Sequence, residues 1–162
     1  MPLLREDGRT GADDDFIMTR QERYNIKRLL FRHLKKEHAF WSYDPASVTL
    51  ARMGDDFLIE KVLYHLDWDD ILRLFEIFPK NQIKEVWKNQ LCPLGAYFDK
   101  MNILYATVFF DIKNPKRYIK TQGNRFLRNK INEGLRIINE NGIDIEEISK
   151  LIEIKDMQNF NP

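Results

Sequence analysis

Cysteine is almost missing from this chain: Cys92 stands alone among 162 residues. That excludes an intramolecular disulfide and any zinc module built on several thiolates, and it fits a reducing compartment. A lone thiol of this kind is expected to be a small buried hydrophobe. Long apolar runs are missing too, none approaching the roughly 20 residues that span a bilayer. The first residues, Met1-Pro2-Leu3-Leu4-Arg5-Glu6-Asp7, lack the apolar core of a signal peptide, so the cytoplasm is the expected location and no membrane contact is expected. The 7 glycines form no phosphate-cradling loop and no Gly-x-Ser-x-Gly elbow. His33, His38 and His65 show neither the i, i+4 pairing nor the neighbouring Glu of a zinc site. No catalytic residue, metal or cofactor is therefore expected, and the chain does not read as an enzyme. Alternating strand patterns, internal repeats and low-complexity tracts are also absent.

Hydrophobic residues make up 43%, charged residues 31% and aromatics 12%, which is enough to build a packed core. Folding a chain of this length typically buries roughly 70% of its unfolded surface without staples. The reading is an all-α protein, a compact multi-helix bundle with a helix-turn-helix-like hairpin at about 68–90. Residues 1–18, polar and carrying Asp13-Asp14-Asp15, read as a flexible arm. Residues 19–156 read as one helical domain, with a core over 19–110 and a basic, then acidic, helical extension over 113–156.

The first helix is expected from Arg20 to Glu37, because Thr19-x-x-Glu22 has capping-box spacing. Its apolar face is Ile26, Leu29, Leu30, His33 and Leu34. Phe40-Trp41-Ser42-Tyr43-Asp44-Pro45 stops it and is expected to pin the following connection to the core. A second helix follows from Asp55 to Leu66 on Phe57, Leu58, Val62 and Leu63, with Asp55 and Asp56 well placed against its dipole. Asp67 caps a third, whose inner face is expected to be Trp68, Ile71, Leu72, Phe75 and Phe78. Pro79 ends it. Ile83, Val86 and Trp87 mark a short helix with Lys80, Lys84 and Lys88 outside. Leu94 to Phe110 reads as a central, mostly buried helix. After Asn114-Pro115, the residues Leu127, Ile131, Leu135 and Ile138 argue a further helix ending at Asn141-Gly142. A short acidic-apolar helix at about 144–154 closes the chain.

Charge nearly cancels, 26 basic against 25 acidic residues, so the molecule as a whole is not drawn to nucleic acid or anionic lipid. The charge is segregated nonetheless. Basic residues crowd 20–36 and 113–130, where no acid appears until Glu133, and acids gather between Asp55 and Glu76. Lysine and arginine neutralise phosphates and release counterions, and Tyr118 or Phe126 would add stacking, so both basic stretches suit a nucleic-acid surface. Solvated helix faces in a charge-rich protein explain the same pattern. The candidate contacts are Arg20, Lys27, Arg28, Arg32, Lys84, Lys88, Lys116, Arg117, Lys120, Arg125 and Arg128. In the 68–90 hairpin, Lys84 and Lys88 would lie near phosphate and Asn81 or Gln82 near bases. Glu85 would face the polyanion, however, and the second helix has no Arg to read guanine. Asp67-Trp68-Asp69-Asp70 has a sufficient explanation in capping and the helix dipole.

Four segments, Phe40-Trp41-Ser42-Tyr43-Asp44, Phe57-Leu58-Ile59-Glu60-Lys61-Val62-Leu63, Asp67-Trp68-Asp69-Asp70 and Gln82-Ile83-Lys84-Glu85-Val86-Trp87-Lys88-Asn89, resemble a family of short bacterial all-helical proteins. The resemblance covers about residues 39–110 and departs from the family pattern at Ser42 and Leu66. It implies a role as an antitoxin-like partner of abortive-infection nucleotidyltransferase toxins. The expected function is thus a non-catalytic regulatory or antitoxin-like binding protein that has a protein partner and touches DNA or RNA through basic helix faces. The alternatives are a protein-only adaptor and an enzyme whose site is assembled from scattered residues.

Overall fold

The computed structural model describes residues 18–150 apart from Ile143, Ile145 and Ile148. Within them the chain is all-α and no strand occurs. Its helices are α1 (Arg20–Lys36), α2 (Asp55–His65), α3 (Trp68–Ile77), α4 (Lys80–Val86), α5 (Asp99–Val108) and α6 (Pro115–Glu140). Among the described residues no helix is long and apolar enough to cross a membrane. The expected arm falls, except for Met18, outside the described residues, as does much of the expected 144–154 helix. Two compact units divide the chain, Met1–Pro79 and Lys80–Pro162, a division inside the stretch that the sequence reads as one core.

In the first unit α1, α2 and α3 pack against one another. The start of α1 is fixed as expected: the Thr19 hydroxyl accepts the Glu22 backbone N–H at 3.2 Å, and the Glu22 carboxylate accepts the Thr19 N–H at 2.8 Å. That second bond holds the Glu22 carboxyl below its ordinary range. At the other end His38 takes φ +54°, so the Ala39 N–H reaches the Leu34 carbonyl at 3.0 Å and closes the helix. Phe40 and Tyr43 then pack on Phe57, with ring centroids 6.3 and 5.8 Å away, which anchors the connection to α2. Trp41 does not join them and is 85% exposed.

Leu30, Leu34, Leu58, Ile59, Val62, Leu63, Ile71 and Leu74 form the sealed centre of this unit, each such side chain stabilising by about 1.5–3 kcal/mol. The inner face of α3 is rotated from the expected one. Asp70, Ile71, Leu74 and Ile77 are buried, whereas Trp68 and Leu72 are 39% and 52% exposed. The physical reason is Asp70, a carboxylate that turns inward because His33 Nδ1 lies 2.8 Å and an Arg73 nitrogen 2.7 Å from its oxygens.

The second unit is organised around Trp87 and Asn102. Trp87 Nε1–H donates to Asn102 Oδ1 at 2.9 Å, and Asn102 Nδ2–H donates to the Leu91 carbonyl at 3.0 Å, with both side chains fully buried. Between them the chain widens after α4 into a π-turn, Trp87–Leu91, in which the Cys92 N–H bonds to the Trp87 carbonyl. A 3₁₀ stretch, Cys92–Tyr97, follows and is broken at Gly95, whose φ is 71°. The buried helix expected over Leu94 to Phe110 is therefore confined to α5. Proline at 93 cannot donate to a continuing α-helix, and only glycine accepts the backbone at 95. Tyr105 and Ala106 face the core, while Tyr97, Leu104 and Val108 are 85%, 36% and 55% exposed. Pro115 opens α6 at its first turn, and Asn141 with Gly142 at φ +62° ends it. Ile119 is the single buried residue of this 26-residue helix; Leu127, Ile131 and Leu135, whose spacing marks the helix, are 58%, 53% and 42% exposed.

Candidate nucleic-acid interface

The candidate cations separate into two groups by what they touch. Lys27 is held by Asp55 at 2.6 Å and covers the Phe78 ring at 5.0 Å. Lys88 is held by Glu85 at 2.6 Å, and Lys84 lies 6.0 Å from the Phe110 ring centroid. These three are engaged with partners within their own units. Lys80 is likewise held, by Asp111 at 3.1 Å. In the hairpin Lys84 and Lys88 thus already have partners inside the protein, and α4 is 7 residues long.

Arg20, Arg28, Arg32, Lys116, Arg117, Lys120, Arg125 and Arg128 are exposed, and none makes an ion pair among the described residues. They lie in two places, one in each unit. In the first unit Arg28 and Arg32 share a face of α1 with Lys35, at i, i+4 and i+7, along a shallow cleft of about 570 Å³ that Tyr24 and Phe31 also line. Arg28 lies 6.0 Å from the Tyr24 ring and Lys35 4.7 Å from that of Phe31. Lys35 and Tyr24 were not among the expected contacts, although their spacing from Arg28 and Arg32 carries the signal.

In the second unit Lys116, Arg117, Lys120, Arg125 and Arg128 spread over half the circumference of the first part of α6, along about 18 Å of helix. Tyr118 already has an aromatic neighbour there. It lies parallel to Trp87, with centroids 5.9 Å apart and rings at 5°, and burial pushes its hydroxyl pKa up. Phe126, 42% exposed, remains open. Cys92 is buried behind this helix, its thiol pushed up to about 12, first by burial and then by Asp99, so it is no nucleophile.

A polar cleft of about 470 Å³ in the first unit gathers His33, His65, Asp69, Asp70 and Arg73. Three of its lining groups pair with one another: Asp70 takes both His33 and Arg73 and thereby ties α1 to α3. Among the described residues no group of three or more His, Cys, Asp or Glu is placed to hold a metal ion.

Compared with known proteins, the chain matches no family model, no curated protein and no solved structure.

Proposed function

We propose that this chain is a non-catalytic, antitoxin-like regulatory protein of the cytoplasm that contacts nucleic-acid phosphates through the first half of α6 and works beside a protein partner. One observation carries the nucleic-acid half of this reading. Lys27, Lys80 and Lys88 each have an acid within 4 Å, whereas Lys116, Arg117, Lys120, Arg125 and Arg128 cluster on one exposed helix without an ion pair among the described residues. Like charges left together and uncompensated cost stability unless a polyanion faces them. The partner half is supported by the family resemblance and by Trp41, whose 85% exposure is uncommon for a tryptophan and suits an interface anchor.

The test is fluorescence anisotropy of the full chain with duplex DNA and single-stranded RNA across a salt series. Binding that weakens steeply with salt and is lost in the Arg117→Glu, Arg125→Glu variant supports the reading. Absence of binding at low salt overturns the nucleic-acid half and favours the protein-only adaptor, for which Trp41 and Tyr97, both 85% exposed, are the first contacts to probe.

A further inference from the structure

We propose that the cavity between the 3₁₀ stretch, α5 and α6 of the second unit binds a small, elongated ligand with an apolar body and a single carboxylate, a medium-chain alkyl carboxylate in its simplest form. The cavity holds about 610 Å³, within the roughly 300–1,000 Å³ of small-molecule sites. Cys92 and Pro93 of the 3₁₀ stretch, Ile103 of α5 and Ile119 of α6 line it. Cys92 and Ile119 are buried, so its floor is apolar. Gly123 also lines this space, and its missing side chain leaves the middle of the α6 wall open: an added Cβ would meet nothing nearer than the Cys92 carbonyl at 4.0 Å.

The α6 wall selects the ligand. Lys116, Lys120, Gly123 and Leu127 stand at i, i+4, i+7 and i+11, a single row along about 16 Å of helix. Both cations lie at the N-terminal end of this row, and Leu127, 58% exposed, at the other, with Phe126 beside it. The wall is therefore polarised lengthwise as an alkyl carboxylate is, with the head at the lysines and the tail running past Gly123 to Leu127, where it takes apolar surface out of water. Charge fixes the sign of the head. Lys116, Lys120 and Asp99 are the charged residues of the lining, two cations against one carboxylate, and neither lysine makes an ion pair among the described residues. A monoanion brings that sum to zero, whereas a cation adds to the excess. Arg117, Arg125 and Arg128 lie outside the lining, so the site does not depend on the nucleic-acid reading.

Isothermal titration calorimetry of the full chain with decanoate, below its micelle-forming concentration, tests the site. Saturable binding of one decanoate per chain is expected, with decanol and decyltrimethylammonium weaker by roughly tenfold or more. Gly123→Leu puts a side chain into the cavity and is expected to abolish binding with an unchanged circular dichroism spectrum. The Lys116→Gln, Lys120→Gln variant is expected to bind decanoate roughly tenfold more weakly while leaving the affinity for decanol as it was. That split separates contact with the head from a general loss of structure, and it decides the matter alone if Gly123→Leu does not fold. Absence of saturable binding overturns the proposal. So does decanoate binding that survives Gly123→Leu, decyltrimethylammonium binding as tight as that of decanoate, or a decanoate affinity that the lysine substitutions leave unchanged.

Discussion

Asn102 accepts from the Trp87 indole and donates to the Leu91 carbonyl, without any exposure to water. Replacing it with alanine strands a buried donor and a buried acceptor together, each costing about 1–3 kcal/mol, so Asn102→Ala is expected to destabilise by about 3 kcal/mol in urea denaturation. Trp87→Phe, which strands only one acceptor, is expected to lose less through hydrogen bonding, and the double variant should lose less than the sum because the two groups form one network. His65 gives a prediction of opposite character, in pH. Burial first, and then the positive charge of Lys61, holds its pKa below the unfolded value of 6.5. The unfolded chain therefore takes up the proton earlier than the folded one, and stability must fall as the pH drops from 6.5 through the lower folded value. His65→Gln is expected to flatten that part of the stability curve while leaving stability above pH 7 nearly unchanged, as followed by thermal unfolding across buffers.

The helical elements end where local chemistry tells them to, and those ends were legible in the sequence. Thr19 with Glu22, Asp67, Asn114 with Pro115, and Asn141 with Gly142 act over one turn, so no tertiary knowledge is needed to place them. What could not be read depends on residues far apart. The α3 face was misphased because Asp70 counts as polar in any pattern, yet partners from α1 and its own next turn carry it inside. The π-turn and 3₁₀ stretch after α4 follow from Asn102 reaching back 11 residues to Leu91. Leu127, Ile131 and Leu135 on α6 have the periodicity of a core face yet are exposed, and periodicity cannot tell a buried face from an open one. In the candidate interface the crowding of cations on α6 was legible, as was the i,i+3 spacing of Glu85 and Lys88, while the contacts of Lys27 with Asp55 and of Lys84 with Phe110 join residues 28 and 26 positions apart and were not. Two glycines test the backbone account of these elements. At Gly95, φ +71° is strained for any side chain although nothing lies within 4 Å of an added Cβ, so Gly95→Ala is expected to cost about 1–3 kcal/mol by strain alone. At Gly123, inside α6, an added Cβ would meet only the Cys92 carbonyl at 4.0 Å, and Gly123→Ala is expected to gain about 0.5–1 kcal/mol. Denaturation midpoints of the two variants should move in opposite directions.

At the scale of the whole molecule, 26 basic residues against 25 acidic ones leave no net attraction to a polyanion, so binding must come from local geometry if it occurs. Two measurements separate the local from the global origin. Five cations on α6 contacting B-form DNA would give a slope of log affinity against log salt of about −4 to −5; charge spread evenly over the surface would give a shallow one. The isoelectric point, about 7.8, supplies the second. Raising the pH from 7 to 8.5 carries the chain from net positive to net negative, and an association driven by total charge should collapse across that interval. A helix face that presents its own cations at contact distance is much less sensitive to the charge elsewhere, because in ordinary buffer distant charges are screened within about 10 Å. The expected outcome is an affinity for duplex DNA that changes less than about threefold between pH 7 and 8.5 while keeping its steep salt slope. An affinity that vanishes above the isoelectric point would show that no organised face exists, and would return Arg117, Arg125 and Arg128 to ordinary solvated surface.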